Sequence, residues 1–404
     1  MRVCVVGAGA AGAVASIFLA RGGASVILVE KNEKIGKKLY ITGKGRCNVT
    51  NDCEVQEFMQ NVVHGEKYLR SAIYGFTPQD TMEFFEGLGV LLMVERGNRV
   101  FPLSEKSSDI IRALAQEIER LGVDLRLNTE VKEIRQSDKG FEVLTPWEKI
   151  ACDKVIVATG GISYASTGST GDGYLFAKKF GHDIVEPKQS LCPILVAENV
   201  SSLQGISLKN VNLTAYDANG SVITSEFGEM MFTARGITGP IVLTTSSFIN
   251  RQDKIRLSVD LKPALDEEML DARILRDFDE RKNQDLKNVT RALLPERLNL
   301  YVLKVAGLKE SKKVNEVTKE ERKRLVETIK DLPFTFVSLA PFEEAVVTSG
   351  GISLKDLKPS GESKLANGLY FVGETIDIDA LTGGFNLQLA YATAVCAARD
   401  ILKK

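Results

Sequence analysis

The chain has 404 residues, 44% hydrophobic and 26% charged, the balance of a globular protein with apolar mass for two or three domains. Fifty-two basic residues against 53 acidic ones leave a formal net charge of −1, so bulk charge gives no signature of nucleic-acid binding. Two histidines exclude a histidine-rich metal centre, and six scattered cysteines without a C-x-x-C pair exclude a disulfide framework or zinc site, which fits a reducing cytoplasm.

Val3 to Ala20 is apolar enough to resemble an export signal or a membrane span. Gly7, Gly9 and Gly12 interrupt it and no polar cleavage region follows, so it reads instead as strand, turn and helix. Arg2 to Val6 is a β-branched strand, Gly7-Ala8-Gly9-Ala10-Ala11-Gly12 a G-x-G-x-x-G turn, and Ala13 to Arg21 a helix closed by Gly22-Gly23. A second apolar strand, Ser25 to Val29, ends in Glu30. Gly7 serves the tight turn, Gly9 admits a pyrophosphate to the backbone, and Gly12 lets the helix pack on the strand. Glu30, about 18 residues past Gly12, is placed to accept from an adenosine ribose and to repel a 2′-phosphate, favouring FAD or NAD over NADP.

Residues 31–51 carry Lys31, Lys37, Lys38, Gly43, Gly45, Arg46, Cys47 and Asn48 among small polar residues. The pattern suits a loop that wraps a pyrophosphate and runs on to a flavin, the plainer alternative being a solvated basic loop. Residues 66–88 predict two short helices broken at Thr77-Pro78. Strands are expected over 90–94 and 99–101, an amphipathic helix over 109–121, and a small β-unit from 123–127, 131–134 and 141–144. In this fold class such a unit brings Val131 near the adenine. Lys154 to Ala158 is a buried strand running into Thr159, Gly160 and Gly161.

From about Leu191 the pattern turns to strands (194–197, 211–216, 221–224, 254–261), as in a barrel or sandwich. Residues 262–331 are charge-rich at helical spacing, with Leu270, Ile274 and Phe278 on one face and Leu325, Val326 and Ile329 on another. The charge run from Lys309 to Arg324 reads as a solvated helical face. Gly368 to Glu374 is a last strand and turn, and Thr382-Gly383-Gly384-Phe385-Asn386-Leu387-Gln388 opens an alanine-rich helix. Glycines at that helix start would aim backbone amides at a flavin carbonyl.

Gly-Lys-Gly-Arg-Cys-Asn-Val-Thr-Asn at 43–51 and Thr-Gly-Gly-Phe-Asn-Leu-Gln at 382–388 resemble the BaiN/YhiN-like flavoproteins, a family that includes aminoacetone oxidase. Matches at 97–102, 169–174, 228–233, 236–240 and 347–351 extend the resemblance over nearly the whole chain. It implies a non-covalent FAD in a glutathione-reductase-like α/β Rossmann domain, with inserted β-barrel-like and helical parts. The corresponding division is 1–190 and 347–404 for the FAD domain, 191–262 and 333–346 for the β-rich domain, and 263–332 for the helical subdomain. By the resemblance, Gly7, Gly9, Ala10, Ala11, Gly12, Glu30 and Lys31 hold the ADP moiety. Lys37, Gly43, Gly45, Arg46, Cys47 and Asn48 follow the pyrophosphate and flavin, and Ala158, Thr159 and Gly160 close the nucleotide pocket. Gly373, Glu374, Asp379, Gly384, Phe385, Asn386, Leu387 and Gln388 cover the ribityl chain and ring. Related flavoproteins often end the last strand in Gly-Asp; here Gly373-Glu374 stands instead, which passes the ribityl contact to Asp379.

The flavin would carry the redox step, with hydride moving through N5. Only one dinucleotide fingerprint occurs, so NAD(P)H is expected as a transient donor rather than a second resident nucleotide. Two weak catalytic candidates stand out. Cys47 lies beside Arg46, which would lower its thiol, or else it is a small packing residue. Arg99, like Arg235, would orient an anionic or carbonyl substrate or serve the surface. His64 and His182 read as structural. Three functions stay open: an NAD(P)H-linked reductase or dehydrogenase of a small carbonyl, enone or steroid-like molecule; an amine oxidase using O₂; and a flavin-binding sensor or nucleic-acid-associated flavoprotein.

Overall fold

The computed structural model describes residues 1–403 and separates into two compact units. One comprises Met1–Ser190 together with the chain from Pro341 onward; the other is Leu191–Ala340.

In the first unit, Arg2–Val6 is the central strand of a five-stranded parallel sheet. It pairs with Ser25–Val29 on one side and Lys154–Val157 on the other, and Asp124–Arg126 and Leu369–Phe371 form the edges. Val3, Val5, Val26, Leu28, Val155 and Val157 are buried, as β-branched and aliphatic runs in a doubly covered parallel sheet must be. The helix Ala10–Arg21 is buried on nearly every side, so its small and apolar residues need no polar face. It packs against the C-terminal helix Phe385–Lys403, which is likewise buried along most of its length. The sheet is thus assembled from both ends of the chain.

The helices Glu66–Gly75 and Pro78–Gly87 break at Thr77, which caps the second in a reciprocal pair with Asp80. Ser107–Arg120 is the amphipathic helix expected. One β assignment changes. The segment read as the first strand of the small β-unit, 124–126, instead joins the parallel sheet beside Ser25–Val29. The three-stranded antiparallel unit is Glu133–Ser137, Gly140–Leu144 and Lys149–Cys152. Alternating apolarity alone does not tell an edge strand of one sheet from a member of another.

The second unit is a closed six-stranded barrel, with Ile194–Val196, Gly236–Thr238, Val222–Phe232, Ser207–Tyr216, Arg256–Asp260 and Leu332–Leu339 in spatial order. The helices Glu267–Glu280, Glu296–Val305 and Lys319–Lys330 bury Leu270, Ile274, Phe278, Leu325, Val326 and Ile329 in the same core as the barrel. Part of the charge run is paired: Lys312 with Glu321 at 2.7 Å, Lys313 with Asp285 at 2.8 Å, and Arg322 with Asp271 at 2.6 Å. Among the described residues no helix is long and apolar enough to cross a membrane.

Gly12 fixes how closely the first helix meets its sheet, because a Cβ there would lie 1.8 Å from the Gly7 carbonyl oxygen. Gly12→Ala is expected to destabilise the apoprotein by about 3 kcal/mol. Gly9→Ala, whose Cβ would meet nothing within 4 Å, should cost about 1 kcal/mol or less. Urea unfolding midpoints of the two variants check the contrast.

Candidate cofactor and active site

The amide of Gly7 donates to Val29 O at 2.8 Å and ties the glycine turn to the neighbouring strand. Gly9 is the N-cap of the first helix, no side chain caps it, and no acidic residue lies in its first turn. The leading amides of this twelve-residue helix have no side-chain cap, and a Cβ added at Gly9 would meet nothing within 4 Å, an arrangement that favours an anion. Ala10 is partly exposed, whereas Ala11 and Gly12 are buried behind it.

Glu30 lies where the fingerprint predicts, but its carboxylate is already engaged. Oε2 accepts from the Ala8 amide at 2.8 Å, and Oε1 accepts from the Asn32 amide at 2.9 Å and from Asn32 Nδ2 at 2.7 Å. It closes the turn as much as it offers a ribose contact. The Thr129 amide donates to Glu30 O and the Asn128 amide to Asn32 O, both at 2.9 Å, which brings the segment carrying Val131 alongside. Val131 itself is a buried core residue.

Ala158 continues the sheet by donating to Val6 O at 2.8 Å. Gly160 is held by Thr375 Oγ1 at 3.1 Å. Between them Thr159 Oγ1 is buried without a hydrogen-bond partner, and the same holds for Asn48 Oδ1. Buried oxygens without partners are costly, and Thr159, whose backbone lies against Gly7, fits a site for a polar ligand.

The basic loop distributes its charges differently from the expectation. Lys31 reaches Asp172 at 2.7 Å and Thr170, and Lys37 reaches Glu33 at 3.1 Å. Lys38, not singled out as a contact, pairs with Glu374 at 2.8 Å and donates to Ser163 at 2.7 Å. Gly43 and Gly45 lie at the C-terminal end of a short 3-10 segment, Leu39–Gly45. Arg46 is committed to Glu95 and Glu105, each at 2.7 Å, and lies over the Phe101 ring. The reading that Arg46 lowers the Cys47 thiol is therefore overturned: Cys47 is fully buried, and burial pushes its thiol up to about 12. Its φ of 62° turns the side chain into the core, the packing role that was the alternative. Arg99 is half-exposed and bonds to Arg96 O, with Glu95 at 3.6 Å, so nothing aims it into the site.

At the C-terminal end, Gly373 donates to Thr393 Oγ1 at 3.0 Å. Glu374 binds Lys38, Ser163 Oγ at 3.0 Å and the Thr348 amide at 2.8 Å, knitting three segments together. Gly384 approaches Thr50 so closely that a Cβ would sit 2.3 Å from the Thr50 oxygen. Asn386 clamps Ala380 through both backbone groups, at 2.9 and 2.7 Å. Phe385 packs edge-on against Phe58, and Leu387 is partly exposed. Gln388 is wholly buried, accepting from Thr50 Oγ1 at 2.7 Å and donating to Phe76 O at 2.8 Å, so its side chain is a lock and not a ligand contact.

Asp379 departs most from its assigned role. Its side chain has no accessible surface, and its oxygens are taken by His64 Nδ1 at 2.6 Å, Ser190 Oγ at 3.0 Å and Ser349 Oγ at 3.1 Å. No surface is left for a ribityl contact. The His64–Asp379 and Lys38–Glu374 pairs span 315 and 336 residues, so no local spacing signals them. Among the described residues no group of three His, Cys, Asp or Glu side chains is placed to hold a metal ion.

A model of the HI0933-like protein Rossmann domain matches residues 1–400. A 3-dehydro-bile acid delta(4,6)-reductase of Clostridium scindens is 30% identical over 410 residues, 98% of each chain. A ribosomal RNA dihydrouridine synthase of Escherichia coli is 28% identical, covering 98% of this chain and 97% of its own. Among solved structures, the 3-ketosteroid delta1-dehydrogenase of Sterolibacterium denitrificans shares the fold, with a TM-score of 0.52 at 13% identity over 99% of both chains. The glycine cradle, the sheet built from both chain ends and the full-length match agree: the chain belongs to the HI0933-like Rossmann family of FAD-dependent oxidoreductases.

Proposed function

We propose that this chain reduces a carbon–carbon double bond conjugated to a carbonyl in a small organic molecule, with NAD(P)H as the electron donor. One observation carries this reading. Two full-length relatives are named for adding hydrogen to a ring C=C bond, in a 3-oxo bile acid and in uridine of ribosomal RNA. In both substrates that bond is conjugated to a carbonyl, so hydride addition to the β-carbon is the shared chemistry.

When bound, FAD supplies the hydride from N5. The chain's own contribution is to hold and orient. The amides of residues 9–11 would face the pyrophosphate of a bound cofactor, Thr159 and Asn48 would stand beside it as polar side chains lacking protein partners, and Glu30, which already closes the glycine turn, would border the ribose. The start of the C-terminal helix at Gly384 would offer its amides to the ring carbonyl of a bound flavin. A single dinucleotide fingerprint supports a nicotinamide that visits and leaves, so donor and substrate alternate at one flavin face.

Charge favours a small substrate over RNA. A phosphate backbone needs unpaired cations, whereas in the densest basic run here Lys312, Lys313, Arg322 and Lys323 are paired with carboxylates. The free state of all six cysteines supports a cytoplasmic setting.

Three outcomes are expected. Anaerobic stopped-flow mixing with NADH or NADPH should bleach the flavin, and a 3-oxo-4-ene steroid should restore its colour faster than air does. Absence of bleaching with rapid reoxidation in air would point to an amine oxidase instead, and turnover of rRNA uridine without turnover of enones would overturn the small-molecule assignment. Gly9→Val should weaken FAD binding about tenfold or more, about 1.4 kcal/mol, in a fluorescence titration. Because Cys47 is raised to about 12, it stays a neutral thiol across about pH 6–10. Ellman's reagent should therefore label it only after unfolding, and Cys47→Ser should leave the pH profile of kcat unchanged.

A further inference from the structure

Hydride addition to a conjugated C=C bond leaves a carbanion-like α-carbon that must gain a proton, and the groups assigned above do not supply one. We propose that His64 delivers that proton through Nε2, with Asp379, Ser349 and Ser190 as positioning residues; this rests on the enone-reductase reading.

Asp379 is a wholly buried carboxylate with which no Lys or Arg pairs among the described residues. Its partners are two serine hydroxyls, from the paired strands Ile184–Ser190 and Val347–Ile352, and the imidazole of His64. Burying a carboxylate without a Lys or Arg partner is costly, and among the described residues the one ionisable group it meets is the imidazole it holds. Here the 2.6 Å bond to Nδ1 fixes the ring, with Ser349 Oγ 3.4 Å from the same nitrogen. Among the described residues Nε2 has no hydrogen-bond partner, and the side chain keeps 25% of its surface exposed. One nitrogen is therefore anchored and the other presented, the geometry of a positioned imidazole in acid–base catalysis.

The placement relative to the ring follows from backbone pairing. Asp379–Ala380 pairs antiparallel with Val62–His64, in register Asp379 to His64. The Leu381 amide donates to Asn61 O at 2.9 Å, and Asn386 clamps Ala380. The dyad and the Gly384 helix start are thus one rigid piece, five residues apart in sequence.

The step balances. The C=C bond takes hydride from the reduced flavin at its β-carbon and a proton from His64 at its α-carbon. The substrate gains two electrons, FAD is left oxidised, and the imidazolium becomes neutral imidazole with Nδ1–H still on Asp379. Water returns the proton, and NAD(P)H returns the electron pair.

The experiment separates the half-reactions anaerobically. His64→Gln should retain FAD and its bleaching by NADPH, while reoxidation by an enone falls about 10²–10³-fold. In D₂O, the wild-type product should carry solvent deuterium at the α-carbon. Equal enone rates in wild type and His64→Gln would overturn the proposal while leaving the reductase reading intact; failure of the wild type on every conjugated C=C would remove both. A readout needing no turnover and no variant is the ¹⁵N-resolved NMR signal of His64, one of two histidines. A low-field proton on Nδ1 is expected, and an Nδ1 that carries none would equally overturn the assignment.

Discussion

The packing of the first helix against the C-terminal helix sets the geometry on which the cofactor cradle depends. Both helices present small residues at the contact: Ala11 on one side, Ala390 and Thr393 on the other, with Gly373 between them. A Cβ at Gly373 would stand 3.0 Å from the Ala11 methyl, so the two chain ends meet nearly backbone to backbone. Close packing without bulky side chains draws the glycine turn at 7–12 and the helix start at 384 into one site. The interaction is also non-local, so the cradle is assembled only when the ends of a long chain have met.

Around that contact, carboxylates do the joining. Glu30 holds the glycine turn to the end of the second strand, Glu374 gathers Lys38, Ser163 and Thr348, and Asp379 gathers His64, Ser190 and Ser349. Hydrogen bonds to charged groups are worth about 1.5–3 kcal/mol each, and an orphaned partner costs more. All three acids are residues that a ligand-centred reading assigns to the cofactor, yet each is engaged by protein. What is left for a ligand is backbone amides and small side chains. Backbone recognition suits a pyrophosphate and a flat ring, and it tolerates wide change elsewhere in the sequence.

What the sequence makes legible is local. The glycine turn, its strands and the acid at position 30 lie within thirty residues, where spacing alone specifies geometry. The capped break at Thr77 and the buried faces of residues 270–278 and 325–329 are equally local. The failures are of two physical kinds. Adjacency in sequence misled at Arg46 and Cys47: a left-handed φ at Cys47 turns the thiol inward while the guanidinium turns out to Glu95 and Glu105. Distance in sequence concealed the rest, because Thr50–Gln388, Lys38–Glu374 and His64–Asp379 each join segments more than 300 residues apart. Hydrophobic periodicity carries no information about which polar side chains such a fold will bring together.

The same division bears on chemistry. A cradle of amides and small residues binds well but offers almost nothing that can carry a proton, and the one thiol within the loop is buried and held protonated. Acid–base function must therefore arrive from a segment outside the glycine motifs, by strand pairing. The short ladder between Val62–His64 and Asp379–Ala380 is such an import, and it ends where the cofactor-facing helix begins. A buried carboxylate that neither touches the ligand nor neutralises a Lys or Arg is hard to account for as packing alone, since an apolar residue of that volume would be less costly there. Its retention is most simply explained by the ring it holds in place.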